Sequence, residues 1–123
     1  MEKRNNIEVQ SEDIGKAIKL IKIEGVLDTV TSLKADELIS PLLDDSEIFI
    51  FDCTNLSYMN STGLALMLKF HIHLQRMDKQ LKVVIINKFL REIMDVSGAL
   101  KVLEVYRTKE EAIESIKLKK SFN

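Results

Sequence analysis

Two short, largely apolar runs constrain the fold of this chain more than any other feature of its sequence. Residues 48–51 read Ile-Phe-Ile-Phe, and residues 81–86 form a second run that is rich in β-branched side chains. Runs with so little alternation are typical of strands that are covered on both faces, as in the interior of a parallel sheet. We therefore expect a sheet with parallel central strands and with helices packed against it.

The segment between the two runs, residues 64–77, fits both a strand and a helix on periodicity alone. Its apolar residues alternate with polar ones, but they also recur at three- and four-residue steps. The segment is about twice as long as a typical strand. Ile72 is its only β-branched residue, and most of the others favour helices. Length and residue type together predict a helix.

The first forty residues predict a hairpin followed by a helix. Residues 7–10 and 17–24 have strand patterns, with a turn expected at 11–15, so the two strands should be antiparallel neighbours. Apolar residues in the second strand change step, which indicates burial on both faces or a bulge. A helical pattern begins near Val30, with Asp28 or Thr29 as its cap, and should end near Ser40 because Pro41 follows.

Three further elements are predicted after the second apolar run. Residues 87–96 indicate a short helix that ends at Gly98, and residues 102–106 indicate a last strand. Thr108 and Glu111 have the spacing of a capping box at the start of a final helix. The predicted fold is one α/β domain over 1–123, with its core at about 7–117. Its sheet is mixed and mainly parallel, with an antiparallel N-terminal strand and about four helices packed against it.

The composition excludes several functional classes. Eighteen basic and nineteen acidic residues give a net charge of -1, so direct binding of nucleic acid is not expected. Cys53 is the single cysteine and cannot form an internal disulfide, and no segment reaches the ~18 apolar residues of a membrane span. The polar N-terminus does not resemble a signal peptide. We expect a cytoplasmic protein without membrane insertion.

No motif for catalysis, cofactor binding or metal binding is found in the sequence. Ser61 lacks the G-x-S-x-G elbow of a hydrolase, and neither glycine-rich phosphate-binding motif occurs. On a helix, His71 and His73 would lie about 200° apart, so one inner and one outer histidine are expected rather than a shared metal site. Cys53 is expected to be a buried structural thiol. The protein is not expected to be an enzyme.

Two adjacent hydroxyls, Ser61 and Thr62, mark the point where an apolar strand region gives way to the long helix. The simplest prediction is that one of them caps the helix by accepting a hydrogen bond from a backbone N–H group. The same position would also place an added phosphate at the positive end of the helix dipole and near free N–H groups. Residue type and spacing leave both interpretations open.

The segment around these hydroxyls resembles a known signature. Residues 56–64 read Leu-Ser-Tyr-Met-Asn-Ser-Thr-Gly-Leu, which is similar to the L-S-x-M-D-S-[ST]-G-L motif of bacterial anti-sigma-factor antagonists. These are the single-domain members of the STAS (sulfate transporter and anti-sigma antagonist) group. Supporting similarities are Gly25-x-Leu27-Asp28 before the first helix and residues 94–98 after the short one. The resemblance covers about residues 18–116.

The resemblance implies a partner-switching function. In that family the unphosphorylated antagonist binds an anti-sigma factor that is also a serine kinase, which frees a sigma factor. The kinase then phosphorylates a hydroxyl of the motif, and a serine phosphatase restores the binding form. Carried over to this sequence, the phosphorylated residue is Ser61 or Thr62, with Ser61 favoured. The implied partner-binding residues are Asp28, Thr29, Asn60, Ser61, Thr62, Gly63 and Leu64.

Two positions depart from the family pattern. Asn60 stands where the family has an acidic residue directly before the hydroxyls, and Val26 stands where an acidic residue is common. The loss of a negative charge beside the hydroxyls bears on how a kinase or phosphatase recognises them. The alternative function is therefore a non-phosphorylated STAS scaffold, or an interaction subunit of another signalling or transport complex.

Overall fold

A single mixed sheet organises the chain in the computed structural model, which describes residues 6–121, with side chains to Lys117. The sheet has six strands, and four α-helices and two 3₁₀ turns complete the structure. The elements are β1 Ile7–Gly15, β2 Ile18–Leu27, α1 Thr31–Ile39, a 3₁₀ turn Ser40–Asp44, β3 Ile48–Asp52, β4 Leu56–Met59, α2 Ser61–Arg76, β5 Gln80–Val84, α3 Lys88–Val96, a 3₁₀ turn Ala99–Lys101, β6 Glu104–Tyr106 and α4 Lys109–Ser121.

The strand order is β1-β2-β3-β5-β6, and β4 pairs with β2 outside this path. Only β1 and β2 are antiparallel, and the other pairs are parallel. Strand β2 has two successive partners on the same side. Residues 18–22 pair with β3, and residues 25–27 pair with β4. The predicted mixed, mainly parallel sheet with an antiparallel N-terminal strand and four helices is confirmed.

The two faces of the sheet carry separate apolar clusters. The larger cluster contains inward residues of α1, α2 and α3, and the smaller one contains Ala112 and Ile116 of α4. Strand β2 contributes Ile21 and Ile23 to the larger cluster and Leu20 to the smaller one. The change of step in the β2 sequence therefore reflects burial on both faces. Helix α4 alone covers the second face within the described residues.

The sequence prediction was wrong at two strands. Residues 11–15 do not form a turn, because β1 continues to Gly15 and pairs with β2 along its length, with a bulge between Asp13 and Gly15. Its polar residues are mostly exposed, which an edge strand tolerates. Strand β4 was missed, because it has only four residues and two of them are exposed. Backbone pairing, rather than side-chain burial, defines both segments.

The expected helix ends are confirmed. Helix α1 stops at Ile39, and the chain continues as a 3₁₀ turn with Pro41 at its start. Helix α2 occupies the ambiguous segment. Gly98 adopts a left-handed conformation (φ 86°) just after α3. At α4 the Glu111 N–H donates to Thr108 Oγ1 as predicted, but the Glu111 carboxylate accepts from the Arg107 N–H rather than from that of Thr108.

The first turn of α2 lies directly against the end of β2. A Cβ atom built on Gly63 would be 2.3 Å from the Leu27 carbonyl oxygen and 2.9 Å from Leu27 Cγ. No residue with a side chain fits at this distance without moving the helix or the strand. Glycine at position 63 therefore allows the α2 N-terminus to contact the carboxyl end of β2.

We expect Gly63→Ala to lower the free energy of unfolding by about 2 to 3 kcal/mol, because the new methyl group overpacks a backbone contact. Gly98→Ala is the matched control. Its Cβ would meet nothing within 4 Å, so only the left-handed backbone is penalised, at about 1 kcal/mol. Urea unfolding of both variants measures the difference. An equal loss in the two variants would contradict the close approach at Gly63.

Candidate functional site

The candidate site is the corner where β2 and β4 end side by side. Leu27 pairs with Met59 in parallel register, so the residues that follow each strand emerge next to each other. The Asn60 N–H continues this pairing and donates to the Leu27 carbonyl at 3.2 Å. The corner therefore brings together Asp28 and Thr29 from one segment and Asn60, Ser61 and Thr62 from the other, although about thirty residues separate them in sequence.

Asn60 is the N-cap of α2. Its backbone is extended (φ -108°, ψ -172°), and its side-chain oxygen accepts hydrogen bonds from the N–H groups of Thr62 at 3.0 Å and Gly63 at 3.1 Å. The expectation that Ser61 or Thr62 caps the helix is therefore wrong. Both residues already belong to the helix, whereas a capping side chain comes from the extended residue before it.

The two hydroxyls at the start of α2 have different surroundings. Thr62 Oγ1 lies 3.2 Å from Thr29 Oγ1, and the Asn60 side-chain amide donates to Thr29 Oγ1 at 3.3 Å. Ser61 is exposed, and its hydroxyl makes no hydrogen bond within the described residues. Two adjacent residues of similar chemistry therefore differ in availability: one hydroxyl is tethered to the neighbouring loop, and the other is free to rotate.

Asp28 stabilises the start of α1. Its carboxylate accepts from the N–H groups of Val30 and Thr31, both at 2.9 Å, and its backbone carbonyl accepts from the Ser32 N–H. The N-cap position of α1 is Val30, which has no side-chain cap bond, and Asp28 supplies the acceptor from two residues earlier. Thr29, the other predicted cap, contacts Thr62 of α2 instead. Thr31 reinforces the turn by donating its hydroxyl to the Val26 carbonyl at 2.6 Å.

These bonds, the one from the Thr31 N–H above all, lower the pKa of the Asp28 carboxyl group from its ordinary value. Because the folded-state pKa is the lower one, the resulting stabilisation is present above the ordinary aspartate pKa. It is lost as the pH falls through the folded-state value. The Asp28 turn therefore keeps its charge at neutral pH.

The remaining predicted site residues lie beneath the surface. Gly63 and Leu64 are buried, with Gly63 against Leu27 as described above. Asp28 and Asn60 are half-buried, and their polar atoms are used within the chain. Of the seven predicted partner-binding residues, only Thr29, Ser61 and Thr62 are exposed.

Two apolar side chains near the start of α1 are strongly exposed, and the sequence interpretation did not include them. Val30 is 68% exposed and Leu33 is 74% exposed, on the side of α1 that faces away from its buried residues. Val30 directly follows Thr29, which contacts Thr62. Their exposure could have been predicted from their spacing, because both lie outside the apolar pattern of the first helix at positions 35, 38, 39 and 42. We call Val30 and Leu33 the apolar pair.

Other candidate groups do not form a site in the described residues. No cluster of three or more His, Cys, Asp or Glu side chains there could hold a metal ion. His73 is exposed and His71 is half-buried, so the expected inner histidine is not found. Cys53 is buried as predicted, and burial raises the pKa of its thiol. Within residues 6–121, none of the helices has both the length and the apolar character that crossing a membrane requires.

The sheet topology, the close approach at Gly63 and the exposed hydroxyl corner together define the class of protein. The STAS domain family model matches residues 8–112. This chain belongs to the STAS domain family, which confirms the resemblance of its central motif.

Relatives with assigned functions are similar over most of the chain. The sequence is 28% identical over 101 residues to the anti-sigma-B factor antagonist of Staphylococcus aureus (strain NCTC 8325 / PS 47), covering 81% of this chain and 91% of the relative. The fold matches that of an anti-sigma factor antagonist from Mycobacterium paratuberculosis with a TM-score of 0.83 at 19% identity, covering 91% of this chain and 95% of the other.

A second structural match is to the anti-sigma factor antagonist SpoIIAA in its unphosphorylated form. Its TM-score is 0.73 at 22% identity, and the alignment covers 89% of this chain and 96% of the other. The phosphorylated form of the Bacillus cell fate determinant SpoIIAA matches with a TM-score of 0.67 at 22% identity, covering 89% and 99%. At these identities the structural matches establish the fold.

We expect Asn60→Ala to lower the free energy of unfolding by about 1 kcal/mol, because Thr62 and Gly63 lose the acceptor for their N–H groups. Asn60→Asp should stay within about 0.5 kcal/mol of the parent, since aspartate caps equally well. Asn87 is the matched control, because it caps α3 with the same two bonds, to Phe89 and Leu90. Urea unfolding measures all three variants.

Asn87→Ala should lose about as much stability as Asn60→Ala. Asn60 would not be the cap if Asn60→Ala were as stable as the parent while Asn87→Ala lost stability. The same conclusion would follow if Asn60→Asp were as unstable as Asn60→Ala.

Proposed function

We propose that this protein is an anti-sigma-factor antagonist that binds an anti-sigma factor with serine-kinase activity and is released when Ser61 is phosphorylated. The observation that carries the proposal is the exposed Ser61 hydroxyl, which has no hydrogen bond within the described residues and stands at the start of α2. The name of the Staphylococcus aureus relative supports the antagonist function. The STAS motif around Ser61 supports its location.

A kinase needs a hydroxyl that can turn a lone pair toward the γ-phosphorus of ATP. Ser61 can do so without breaking a contact inside its own chain, whereas Thr62 is engaged with Thr29. This difference favours Ser61 as the acceptor. The helix start adds a positive electrostatic potential, which stabilises the phosphate that forms there.

The effect of the phosphate is expected to fall mainly on the partner. The sequence suggested that free N–H groups would hold it, but those of Thr62 and Gly63 are bonded to Asn60. The phosphate therefore projects from the corner into the space that a bound partner would occupy. It adds roughly -1.5 to -2 charges and a hydration shell, so the association weakens by charge and bulk rather than by refolding of the antagonist.

Asn60 lowers the electrostatic repulsion that a phosphate on Ser61 would meet from the preceding residue. An aspartate would cap the helix equally well, but its charge would repel a phosphate on the next residue. The neutral amide caps without that repulsion. The replacement of the family's acidic residue therefore leaves room for regulated phosphorylation at Ser61.

The apolar pair supplies the binding surface in this proposal. Isolated exposed apolar residues are common on proteins, but Val30 and Leu33 are more exposed than most, and Val30 directly follows Thr29, which contacts Thr62. A partner that covers them also covers Ser61. The same contact therefore supplies affinity and exposes the partner to the new charge.

The proposal includes a set of partners and a cellular setting. The anti-sigma factor is both the ligand and the kinase, a serine phosphatase reverses the modification, and a sigma factor is released as the output. The protein acts in the cytoplasm without catalysis of its own, without a cofactor and without direct contact with nucleic acid. A non-phosphorylated scaffold would bind its partner in the same way but would not respond to ATP.

We expect Ser61→Asp to weaken binding to the anti-sigma factor of the same organism by about tenfold or more, because the partner must desolvate an unpaired charge. Ser61→Ala should bind like the parent and should be retained in the presence of ATP. Ser11→Asp is the control, since Ser11 is an exposed serine on β1, away from the corner. Titration calorimetry measures the dissociation constants.

Affinity capture tests whether the association with the kinase depends on ATP. Immobilised parent protein should retain the kinase with a non-hydrolysable ATP analogue and release it with ATP, with phosphate mapped to Ser61 by mass spectrometry. Equally tight binding by the parent, Ser61→Asp and Thr62→Asp would contradict the switch. Retention that ATP does not change, with no phosphate on either hydroxyl, would favour the scaffold.

We expect Leu33→Ala to weaken the same association by about fivefold to thirtyfold, the effect of removing an apolar anchor from an interface. Stability should not change, because Leu33 is exposed. Ile72→Ala is the matched control. Ile72 is also exposed, but it lies roughly 16 Å along α2 from Ser61, from the 1.5 Å rise per residue. An equal effect in both variants would exclude the apolar pair as a specific contact.

A further inference from the structure

Adjacent hydroxyls at the start of α2 pose a problem of selectivity. Ser61 and Thr62 are both exposed and consecutive on the helix, so a kinase that reaches one is close to the other. Within the described residues their hydroxyls differ in one contact, the one between Thr62 Oγ1 and Thr29 Oγ1 at 3.2 Å. On the basis of the function proposed above, we propose that Thr29 is a positioning residue that directs phosphorylation to Ser61 by holding the Thr62 hydroxyl.

The tether is part of a connected set of hydrogen bonds. The Asn60 side-chain oxygen is fixed by the N–H groups of Thr62 and Gly63, which orients the amide nitrogen toward Thr29 Oγ1. Thr29 Oγ1 accepts that bond and still has one proton and one lone pair for Thr62. The position of the Thr29 hydroxyl is therefore set by the helix cap, and the Thr62 hydroxyl is drawn toward the α1 loop in turn.

The reaction uses the same proton and lone pairs of the hydroxyl that such contacts use. The hydroxyl oxygen forms a bond to the γ-phosphorus of ATP held by the kinase, the bond from that phosphorus to ADP breaks, and the hydroxyl proton passes to a base of the kinase. If Thr62 donates in the tether, it must give up this bond before its proton can pass to the base. If Thr62 accepts, the bond occupies one of the two lone pairs that could attack the phosphorus. Ser61 has no such bond to break within the described residues.

The energetic difference sets the expected size of the effect. A hydrogen bond of this kind contributes a net stabilisation that corresponds to a factor of about three to ten. Thr62 is also β-branched, so its side chain has few alternative rotamers in a helix. The tether should therefore disfavour Thr62 as an acceptor by about threefold to tenfold relative to an untethered threonine.

Thr29→Val removes the hydroxyl while preserving the shape of the side chain, and Thr29→Ser restores it. The parent and both variants are phosphorylated by the anti-sigma kinase of the same organism with ATP, and mass spectrometry measures the ratio of phosphate on Thr62 to phosphate on Ser61. This ratio compares two sites in one molecule, so a general loss of affinity or stability does not change it. Thr29→Val should raise the ratio by about threefold to tenfold, and Thr29→Ser should match the parent.

A second comparison uses the Ser61→Ala background, where Thr62 is the remaining acceptor of the pair. Adding Thr29→Val should raise the initial rate of Thr62 phosphorylation by a similar factor. An unchanged ratio in Thr29→Val, or a parent already modified mainly at Thr62, would overturn the role of Thr29 and leave the switch intact. The absence of phosphate from both hydroxyls in every variant would overturn the proposed function, and the role of Thr29 with it.

Discussion

The close parallel pairing of the ends of β2 and β4 is the constraint on which the functional corner depends. The Leu27 carbonyl at the end of β2 makes both contacts that fix this pairing. It accepts a hydrogen bond from the Asn60 N–H and lies against Gly63 of α2. A side chain at position 63 would push α2 away from this carbonyl, and Asn60 and Thr62 would move with the helix. The contact between Thr62 and Thr29 would then be lost, since a hydrogen bond tolerates only a few tenths of an ångström. A glycine in the core of the motif thus determines where an exposed hydroxyl stands.

The polar groups at the corner divide into those that build it and one that remains available. Asp28 serves the start of α1, Asn60 serves the start of α2, and the two threonines contact each other. These side chains are committed to the chain itself. Among the serine and threonine hydroxyls of residues 56–64, Ser61 alone makes no such bond within the described residues, because the Ser57 hydroxyl donates to the Gly25 carbonyl and Thr62 contacts Thr29. Availability, and not position alone, distinguishes Ser61 from its neighbours.

Much of this fold was predictable from the sequence, because burial on one or both faces leaves a pattern in the residues. The central strands, the helix over the ambiguous segment and the end of α1 at Pro41 all follow from such patterns. The continuation of β1 over residues 11–15 and strand β4 do not, since their exposed residues carry no pattern and backbone pairing defines them. The motif located Ser61 and Thr62, but it did not reveal the cap at Asn60 or the contact with Thr29. That contact joins residues 33 positions apart and depends on the register of β4, the strand that the sequence did not predict.

Most polar groups of the corner already have hydrogen-bond partners within the chain. This limits how far a phosphate on Ser61 could change the conformation of the rest of the chain. A modification shifts an equilibrium only by the difference in its interaction energy with the two states. Next to Ser61 the N–H groups of Thr62 and Gly63 are already bonded to Asn60, and the loop is held by Asp28 and by the Thr31 bond to Val26. A phosphate on Ser61 would therefore find few unsatisfied donors within the chain that could stabilise a new conformation. The free energy of the phosphate differs more between the unbound and the bound state. In the unbound state water hydrates its charge, and in the bound state a partner that covers the corner removes that water. A rigid corner with one free hydroxyl is thus suited to a switch whose energy comes from desolvation at the interface.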